Sequence, residues 1–280
     1  MDGIIIINKK KNMTSRDVVN IAVKRLNTKK IGHTGTLDPL ATGVLVLAVN
    51  KALKLVDDIT SENKEYIAEV KLGIKTDTLD ITGNILEEKK EKVTKEELIK
   101  VLNSFIGKYN MTVPIYSAVK VKGKKLYEYA REGKEVDLPV KEVYINSIEL
   151  LDLNDDTFTF KCDVSKGTYI RSLINDICNK LGVIGTMSAL ERIRQGKYNI
   201  EKAIDIDDIK EDKIIPMEDV IEIPKIEVDE YLYNRIKNGN KLENRYTQEK
   251  IAFIYNGKLI GIYIVDNLDN TKIKPKNIFV

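Results

Sequence analysis

Short apolar runs and amphipathic stretches alternate along the first third of the chain. Residues 3–8 form an apolar run short enough for a buried strand, and the apolar positions 18, 19, 22, 23 and 26 have helical spacing after Thr14. Residues 44–49 predict a second buried strand, and 66–72 alternate with the period of a half-buried strand. Residues 27–43, rich in glycine and threonine, predict a loop.

Helices and strands follow one another in irregular order along the rest of the chain. Thr94 and Glu97 have the spacing of a capping box, which predicts a helix to about residue 105, and Asn256-Gly257 predicts the turn of a hairpin. Because strands and helices do not alternate strictly, the pattern favours an α+β fold over a doubly wound one. The other predicted elements are helices at 52–59, 169–181 and 229–238, a helical turn at 126–131 in an otherwise irregular stretch 107–139, and strands at 143–151, 157–164, 251–255 and 259–265.

Charge is distributed unevenly, although the net charge is only +3. Residues 1–55 contain ten Lys or Arg against three Asp or Glu, and residues 108–134 contain seven against two. Residues 201–230 reverse this balance with four against twelve. We interpret 201–222 as a solvated connector between domains, flanked by basic surfaces suited to phosphate groups. A random surface distribution is the alternative, and charge alone does not decide between the two.

Several classes of function are disfavoured by the counts. His33 is the single histidine, so a metal site with two histidines cannot be built, and no G-x-S-x-G motif accompanies it. Cys162 and Cys178 are too far apart in sequence for a C-x-x-C site. The chain has no apolar run long enough for a membrane span, and its first apolar run precedes its lysines, unlike a signal peptide. We expect a cytoplasmic protein without metal or cofactor.

Residues 32–43 are the densest chemical signal in the sequence. Three glycines, one proline and the carboxylate of Asp38 fall within these twelve positions. Glycine permits positive φ and close approach of a ligand, while Pro39 restricts the residue before it to extended geometry. A tight turn in which Asp38 binds backbone amides would explain the same composition without any catalysis.

This segment resembles the catalytic loop of the TruB family of pseudouridine synthases, G-H-T-G-x-L-D-P-x-A-x-G, at every specified position. Further stretches resemble the family in the same order along the chain, and the resemblance covers about residues 3–195. In two respects the chain departs from the family: Lys9 is followed by Lys10 rather than by proline, and position 36 is threonine rather than alanine. The further stretches are 64–66, 76–83, 114–120, 123–133 and 165–171.

The resemblance implies a fold and a domain organisation. Residues 1–222 would form the pseudouridine synthase fold, which has a central mixed, largely antiparallel sheet. An insertion at about 108–139 would grip RNA, and residues 225–280 would form a small PUA-like β domain that helps to bind the acceptor stem of tRNA. Only the short stretch 235–239 and the strand pair ending at 274–275 support the PUA-like assignment.

The resemblance also implies an activity, the isomerisation of uridine to pseudouridine at position 55 in the T loop of tRNA. Asp38 would act as the nucleophile at C1′ of the ribose or as a base in a glycal route. Arg171 would pair with that aspartate. Tyr66 would stack on the target base and help to remove the proton from C5.

Other residues would bind the RNA once the target base has left its stack. His33 would fill the vacated place, and Tyr169 and Leu190 would form the walls of the base pocket. Without the resemblance, Tyr66 would be a packing residue and Arg171 a surface charge. The insertion lysines would then be a solvated face, whereas with the resemblance they are phosphate contacts: Lys120, Lys122, Lys124 and Lys125.

Two alternative functions stay open at this point. The first is a guide-RNA-dependent pseudouridine synthase, which shares the catalytic loop, although the 108–139 insertion favours the stand-alone branch. The second is a tRNA-binding or tRNA-folding protein without catalysis. We expect tRNA as the partner, no membrane association, no obligatory protein partner and a monomer.

Overall fold

The computed structural model describes residues 1–280 and contains nineteen strands and seven α-helices. In chain order the strands are β1 (Gly3–Lys9), β2 (Ile31–His33), β3 (Thr42–Val49), β4 (Lys64–Leu72), β5 (Ile74–Thr76), β6 (Ile85–Glu88), β7 (Gly107–Thr112), β8 (Lys120–Val121), β9 (Lys124–Lys125), β10 (Val140–Leu153), β11 (Thr157–Val164), β12 (Gly185–Gln195), β13 (Tyr198–Asn199), β14 (Ile215–Pro216), β15 (Lys225–Glu227), β16 (Leu242–Glu243), β17 (Lys250–Tyr255), β18 (Lys258–Asp266) and β19 (Asp269–Ile278).

The longer helices begin where the sequence predicts them. Thr14 and Thr94 each cap a helix through a complete capping box, with Asp17 and Glu97 as the reciprocal acids. None of the helices is long and apolar enough to cross a membrane. The α-helices are α1 (Ser15–Arg25), α2 (Val56–Thr60), α3 (Lys95–Asn103), α4 (Leu126–Arg131), α5 (Ile170–Leu181), α6 (Met217–Val220) and α7 (Glu230–Lys237), and a 3₁₀ helix, Asn50–Leu55, leads into α2.

The central sheet has ten strands and follows the order β14-β1-β3-β12-β4-β11-β10-β7, with β2 on β3 and β13 on β12. All of its pairs are antiparallel except β3 with β12, where Thr42 and Gly43 lie beside Glu191 and Arg192 in parallel register. The predicted α+β class with a mixed, largely antiparallel sheet is therefore confirmed. The strand β12 was not predicted, and the stretch 107–139 is less irregular than expected because β7 pairs with β10 at the sheet edge.

Both faces of the sheet are covered, which explains the unbroken apolar run in β1. Ile5 and Ile7 point into the larger core, which α1, α3 and α5 cover on one face. Ile4 and Ile6 point into a second core on the other face, which they share with Ile254 and other residues of the C-terminal strands. A strand buried on both faces needs apolar residues at every position rather than at alternate ones.

The C-terminal strands form a separate five-stranded sheet in the order β15-β17-β18-β19-β16. The predicted hairpin is confirmed, because Asn256 and Gly257 both adopt positive φ between β17 and β18. Helix α7 packs on this sheet through Ile236 in a third, smaller core. The proposed division of the chain into domains at 1–222 and 225–280 stays a prediction.

The acidic stretch 201–222 is not the solvated connector that its composition predicts. Ile206, Ile209 and Ile214 are buried in the larger core, and β14 in the same stretch pairs with β1 at the edge of the central sheet. Its acidic side chains face outward, where Asp205 pairs with Lys10 at 2.9 Å. The isoleucines alternate with acidic residues, so the net charge of the stretch gave no indication that it packs along the sheet.

Gly43 lies at the parallel junction, where the backbones of β3 and β12 approach most closely. Its φ is +97°, and a Cβ at this position would lie 2.3 Å from the carbonyl oxygen of Arg192. Gly123, in the β8–β9 turn, also has a positive φ of +83°, but a Cβ there would meet no atom within 4 Å. An alanine at Gly123 would therefore meet only the energy cost of a positive φ. An alanine at Gly43 would meet that cost and a steric clash as well.

We predict that Gly43→Ala lowers the free energy of unfolding by at least about 3 kcal/mol, because the methyl group forces β3 away from β12. Gly123→Ala should lower it by only about 1–2 kcal/mol, the usual penalty of a positive φ for an L-residue. Urea unfolding followed by circular dichroism measures both changes. Equal losses for the two variants would contradict the close approach at Gly43.

Candidate active site

One cavity of about 520 Å³ opens beside the parallel junction of the central sheet. The loop between β2 and β3 contributes Asp38, the strand β4 contributes Tyr66, and β12 contributes Leu190. The N-terminus of α5 adds Tyr169 and Arg171. The cavity thus brings together five of the ten residues that the sequence singled out.

Asp38 and Arg171 form a side-on ion pair inside this cavity. The Nε atom of Arg171 lies 2.9 Å from Oδ2 of Asp38, and one Nη donates to Oδ1 at 3.2 Å. Two parallel bonds of this kind fix the orientation of both planar groups. The carboxylate of Asp38 binds this guanidinium instead of the backbone amides that a simple turn would use.

Arg171 is held by more than its partner. It donates to the carbonyl oxygens of Thr78 and Tyr116, each at 3.0 Å. Its side chain is 6% exposed, whereas that of Asp38 is 33% exposed toward the cavity. Arg171 is therefore a buried positioning group rather than a surface charge, and the carboxylate remains open to a ligand.

Aromatic and aliphatic side chains form the wall beside the ion pair. Tyr66 lies directly across from Arg192 in the antiparallel register of β4 and β12, and its side chain is buried. Leu190 faces the same cavity two residues earlier on β12. Burial raises the pKa of Tyr169, so that phenol stays neutral. The wall is suited to a flat ring stacked beside a carboxylate.

His33 does not line the cavity. It is the last residue of β2 and lies opposite Leu47 of β3. Burial, followed by the nearby charges of Arg16 and Arg192, lowers the pKa of its imidazole. Its Nδ1 atom is buried without a hydrogen-bond partner in the protein. The expected place of this side chain in the RNA stack stays a prediction.

The four insertion lysines also lie outside the cavity, and they differ from one another. Lys120 and Lys122 are exposed to solvent. Lys124 forms an ion pair with Glu132 and lies over the ring of Tyr129 at 5.0 Å. Lys125 lies 5.4 Å from the ring centre of Tyr127, which does line the cavity. These different surroundings indicate that the four lysines do not contribute equally to phosphate binding.

Three buried basic residues near the cavity were not singled out from the sequence. Burial lowers the pKa of Lys9 to about 8, and its Nζ donates to the carbonyl oxygens of Met13 at 2.7 Å and Pro39 at 3.4 Å. Lys64 and Arg192 line the cavity itself. Lys64 could have been predicted as a site residue because it begins the 64–66 motif. Nothing in the sequence around Arg192 indicates that it lines the cavity.

Metal and thiol chemistry have no visible centre here. No group of three or more His, Cys, Asp or Glu side chains is placed to hold a metal ion. Cys162 and Cys178 are both buried and unbonded, and burial raises the pKa of both thiols.

Comparison with known sequences identifies relatives over nearly the whole chain. A profile described as TruB family pseudouridylate synthase (N terminal domain) matches residues 23–170. The tRNA pseudouridine synthase B of Clostridium tetani (strain Massachusetts / E88) is 46% identical over 257 residues, which cover 90% of this chain and 89% of that protein. The protein of the same name from Caldanaerobacter subterraneus subsp. tengcongensis is 41% identical over 288 residues, covering 100% and 99%.

Solved structures share the fold. The crystal structure of a Cbf5-Nop10-Gar1 complex contains a chain with a TM-score of 0.73 and 27% identity, covering 99% of this chain and 84% of that one. A chain in the structure of an H/ACA RNP bound to a substrate RNA containing 2′-deoxyuridine has a TM-score of 0.72 and 24% identity, covering 99% and 85%. The pseudouridine synthase fold, including a small C-terminal β unit, is confirmed.

We predict that Arg171→Lys slows single-turnover product formation by roughly 10–100-fold, the equivalent of losing one or two hydrogen bonds to a charged group. An ammonium keeps the charge but cannot reach Asp38, Thr78 and Tyr116 together. Arg194→Lys is the matched control, because Arg194, on β12, likewise pairs with a carboxylate, that of Asp163, but outside the cavity. Equal rates for both variants and the wild type would contradict a positioning role for Arg171.

Proposed function

The chain belongs to the TruB family of pseudouridylate synthases, and from this membership we propose that it isomerises uridine 55 in the T loop of tRNA, with Asp38 as the catalytic carboxylate. Its relatives over nearly the full length are tRNA pseudouridine synthase B proteins, so the enzyme converts uridine to pseudouridine in tRNA. The choice of uridine and the role of Asp38 are the parts that need testing. The observation that supports them most directly is the Asp38–Arg171 pair at the open cavity.

The reaction is an isomerisation, so the product contains the same atoms as the substrate. The bond between N1 of the uracil and C1′ of the ribose breaks, the uracil turns within the site, and C5 joins C1′. The proton on C5 is lost and N1 gains one. A site for this chemistry therefore has to hold a free uracil ring beside a reactive sugar, and it needs one carboxylate and one group that accepts the C5 proton.

Asp38 suits the sugar side of this reaction. As a nucleophile its carboxylate would attack C1′ and be released when C5 attacks the same carbon. As a base it would remove the C2′ proton in the glycal route and return it later. Both routes require the charged form, which the guanidinium of Arg171 compensates at 2.9 Å. Both also require access from the cavity, and the exposed third of the side chain provides it.

Tyr66 suits the base side. Its ring and Leu190 line the cavity, where a flipped uracil can stack, and we propose that its hydroxyl relays the C5 proton, accepting it while its own proton passes to N1. Tyr169 lines the same cavity and is the second aromatic wall that we propose for the base. We propose that His33 contacts the RNA that the base leaves rather than the base itself, in keeping with its position outside the cavity.

The stand-alone form of the enzyme is favoured over the guide-RNA-dependent form. The relatives named tRNA pseudouridine synthase B are 38–49% identical, whereas the chain from the Cbf5-Nop10-Gar1 complex is 27% identical. We propose that the insertion at about 108–139 replaces partner proteins in gripping the RNA. Pseudouridine formation on a bare tRNA transcript tests this directly, and a strict need for guide RNA would contradict it.

We further propose that residues 225–280 form a PUA-like domain that binds the acceptor stem, and that the enzyme works as a monomer in the cytoplasm. The C-terminal strands are basic, with nine Lys or Arg against four Asp or Glu in residues 231–280. Because the C-terminal sheet shares an apolar core with β1 and β3, its surface keeps a fixed distance from the cavity. A tRNA could then bind both the cavity and the C-terminal sheet, at a fixed distance from each other.

We predict that Asp38→Asn leaves folding and RNA affinity nearly unchanged while it lowers the single-turnover rate by several orders of magnitude. The amide has nearly the same size but can neither attack C1′ nor accept a proton. Chemical labelling of pseudouridine in a T-arm stem-loop measures the product. A rate above a few per cent of the wild-type rate would refute the assignment, and product at a different uridine would refute the proposed position.

We predict that Lys120→Ala with Lys122→Ala weakens tRNA binding and lowers the slope of log K against log salt by roughly one for each lysine. Both side chains are exposed and free to release counterions from phosphates. Lys124→Ala is the control, because its ammonium is already paired with Glu132 and should change the slope less. An unchanged slope for the double variant would identify the insertion as an ordinary solvated face.

A further inference from the structure

The cavity is strongly positive, beyond what its ion pair requires. Among the nineteen residues that line it, Asp38 is the only acid, whereas Lys64, Lys166, Arg171 and Arg192 are basic. Arg171 is compensated by Asp38. The other three form no ion pair within the protein, so the cavity contains three positive charges that the protein itself does not neutralise.

Two of these charges are buried, which makes the absence of a counterion significant. Arg192 is 1% exposed and Lys64 is 7% exposed. A buried charge without an opposite charge is destabilising, even where carbonyl groups solvate part of it. The protein tolerates this arrangement at a cavity that must accept a polyanion. An anionic group of the substrate is the partner that would complete it.

Each of the two buried groups keeps a donor free. The Nζ of Lys64 donates to the carbonyl oxygens of Thr60 at 2.7 Å and of Glu62, and an ammonium has three hydrogens. Arg192 donates through Nε to Val44 at 2.7 Å and through one Nη to Gly35 at 3.1 Å, which leaves its other Nη without an acceptor in the protein.

The register of the sheet sets the distance of these charges from the target base. Lys64 lies two residues before Tyr66 on the same face of β4, and residues two apart on a strand are separated by roughly 7 Å. Arg192 is the direct neighbour of Tyr66 across the strand pair. With a uracil on Tyr66, both cations would lie within about one nucleotide length of the base, in reach of a neighbouring phosphate.

We propose that Lys64, Arg192 and Lys166 form a binding site for a phosphodiester group that flanks the target uridine. This inference rests on the proposed function, since it assumes that the cavity receives a uridine within RNA. Lys166 lines the same cavity from the exposed turn before α5, so its side chain can reach the phosphate from the solvent side. The site would hold the backbone still while the uracil is detached and turned.

The lowered pKa of Lys64 is consistent with a phosphate site that has no anion bound. Burial, followed by the charges of Arg192 and Lys166, lowers the pKa of its ammonium to about 8. Glu62 is the one group that raises it, and Glu62 does not line the cavity. A bound phosphate would stabilise the charged form and raise this pKa again. The competing explanation is that Lys64 only caps the carbonyl groups at the end of α2.

A double-mutant cycle between protein and RNA separates the two explanations. The protein change is Lys64→Met, and the RNA change is one neutral methylphosphonate linkage in a T-arm stem-loop, placed 5′ or 3′ of the target uridine. We expect each single change to lower single-turnover kcat/KM by about tenfold. At one of the two linkages, the combined change should lose little more than either change alone.

Lys161→Met is the matched control, because Lys161 lies on the neighbouring strand β11 and pairs with Glu65 away from the cavity. Its losses should add to those of each linkage. Lys64→Arg, which keeps the charge, should restore most of the rate on unmodified RNA. Should Lys64→Met fail to fold, Lys166→Met, at an exposed turn, takes its place in the same cycle.

Additive losses at both linkages would overturn the phosphate site and leave Lys64 as a helix cap. Coupling at a linkage deep in the stem, but at neither flanking position, would also overturn it. Wild-type activity on unmodified RNA is measured in the same experiment. If that RNA yields no pseudouridine, the proposed function fails; if it does and no coupling appears, only this inference fails.

Discussion

The close approach of two parallel strands, β3 and β12, sets the position of the Asp38 loop relative to Tyr66 at the cavity. The loop with Asp38 ends where β3 begins, and β12 separates β3 from β4, so the carboxylate and Tyr66 face each other across one strand. Gly43 permits this spacing because it has no side chain to hold the backbones apart. The remaining strands are antiparallel and extend the sheet away from the site.

Charge compensation around the cavity is organised in two ways. Arg171 uses four of its five N–H donors on a carboxylate and two carbonyl groups, and it therefore serves as a fixed support. Lys9 is likewise enclosed by carbonyl groups and holds the loop at Pro39. Lys64 and Arg192 are only partly satisfied, and they lie where the substrate backbone would enter. Rigid cations thus position the Asp38 carboxylate and its loop, while the partly satisfied cations remain open to a ligand.

Much of the fold could be predicted from local patterns, because those patterns follow from local chemistry. The capping boxes at Thr14 and Thr94 and the Asn256-Gly257 turn satisfy backbone groups within a few residues, so neighbouring sequence determines them. The strand β12 escaped prediction because Glu191, Arg192 and Arg194 interrupt its apolar pattern. Arg192 is nevertheless fully buried, since carbonyl groups from distant parts of the chain solvate it. The stretch 201–222 was misassigned for the opposite reason, as exposed acids concealed its buried isoleucines.

The residues of the candidate site could be predicted from the sequence only through the resemblance to a family. Asp38, Tyr66 and Arg171 lie on separate elements up to 133 positions apart, and no spacing rule would have joined them. The surroundings of Lys124 and His33 depend on tertiary contacts, so the sequence assigned both by analogy alone. Their roles in binding RNA stay predictions, because the residues that they contact in the protein do not decide what they contact in a complex.

The core that the two sheets share also bears on how the protein is made. Ile4 and Ile6 are synthesised about 250 positions before Ile254, Ile262 and Phe279, the residues that share a core with them. Until those late strands have left the ribosome, one face of β1 and β3 is an open apolar surface, of the kind that chaperones bind and that promotes aggregation. Burial of this face of the central sheet thereby depends on strands that are synthesised much later, so a translation product interrupted before β17 would carry the Asp38 loop on a sheet that cannot bury its outer face.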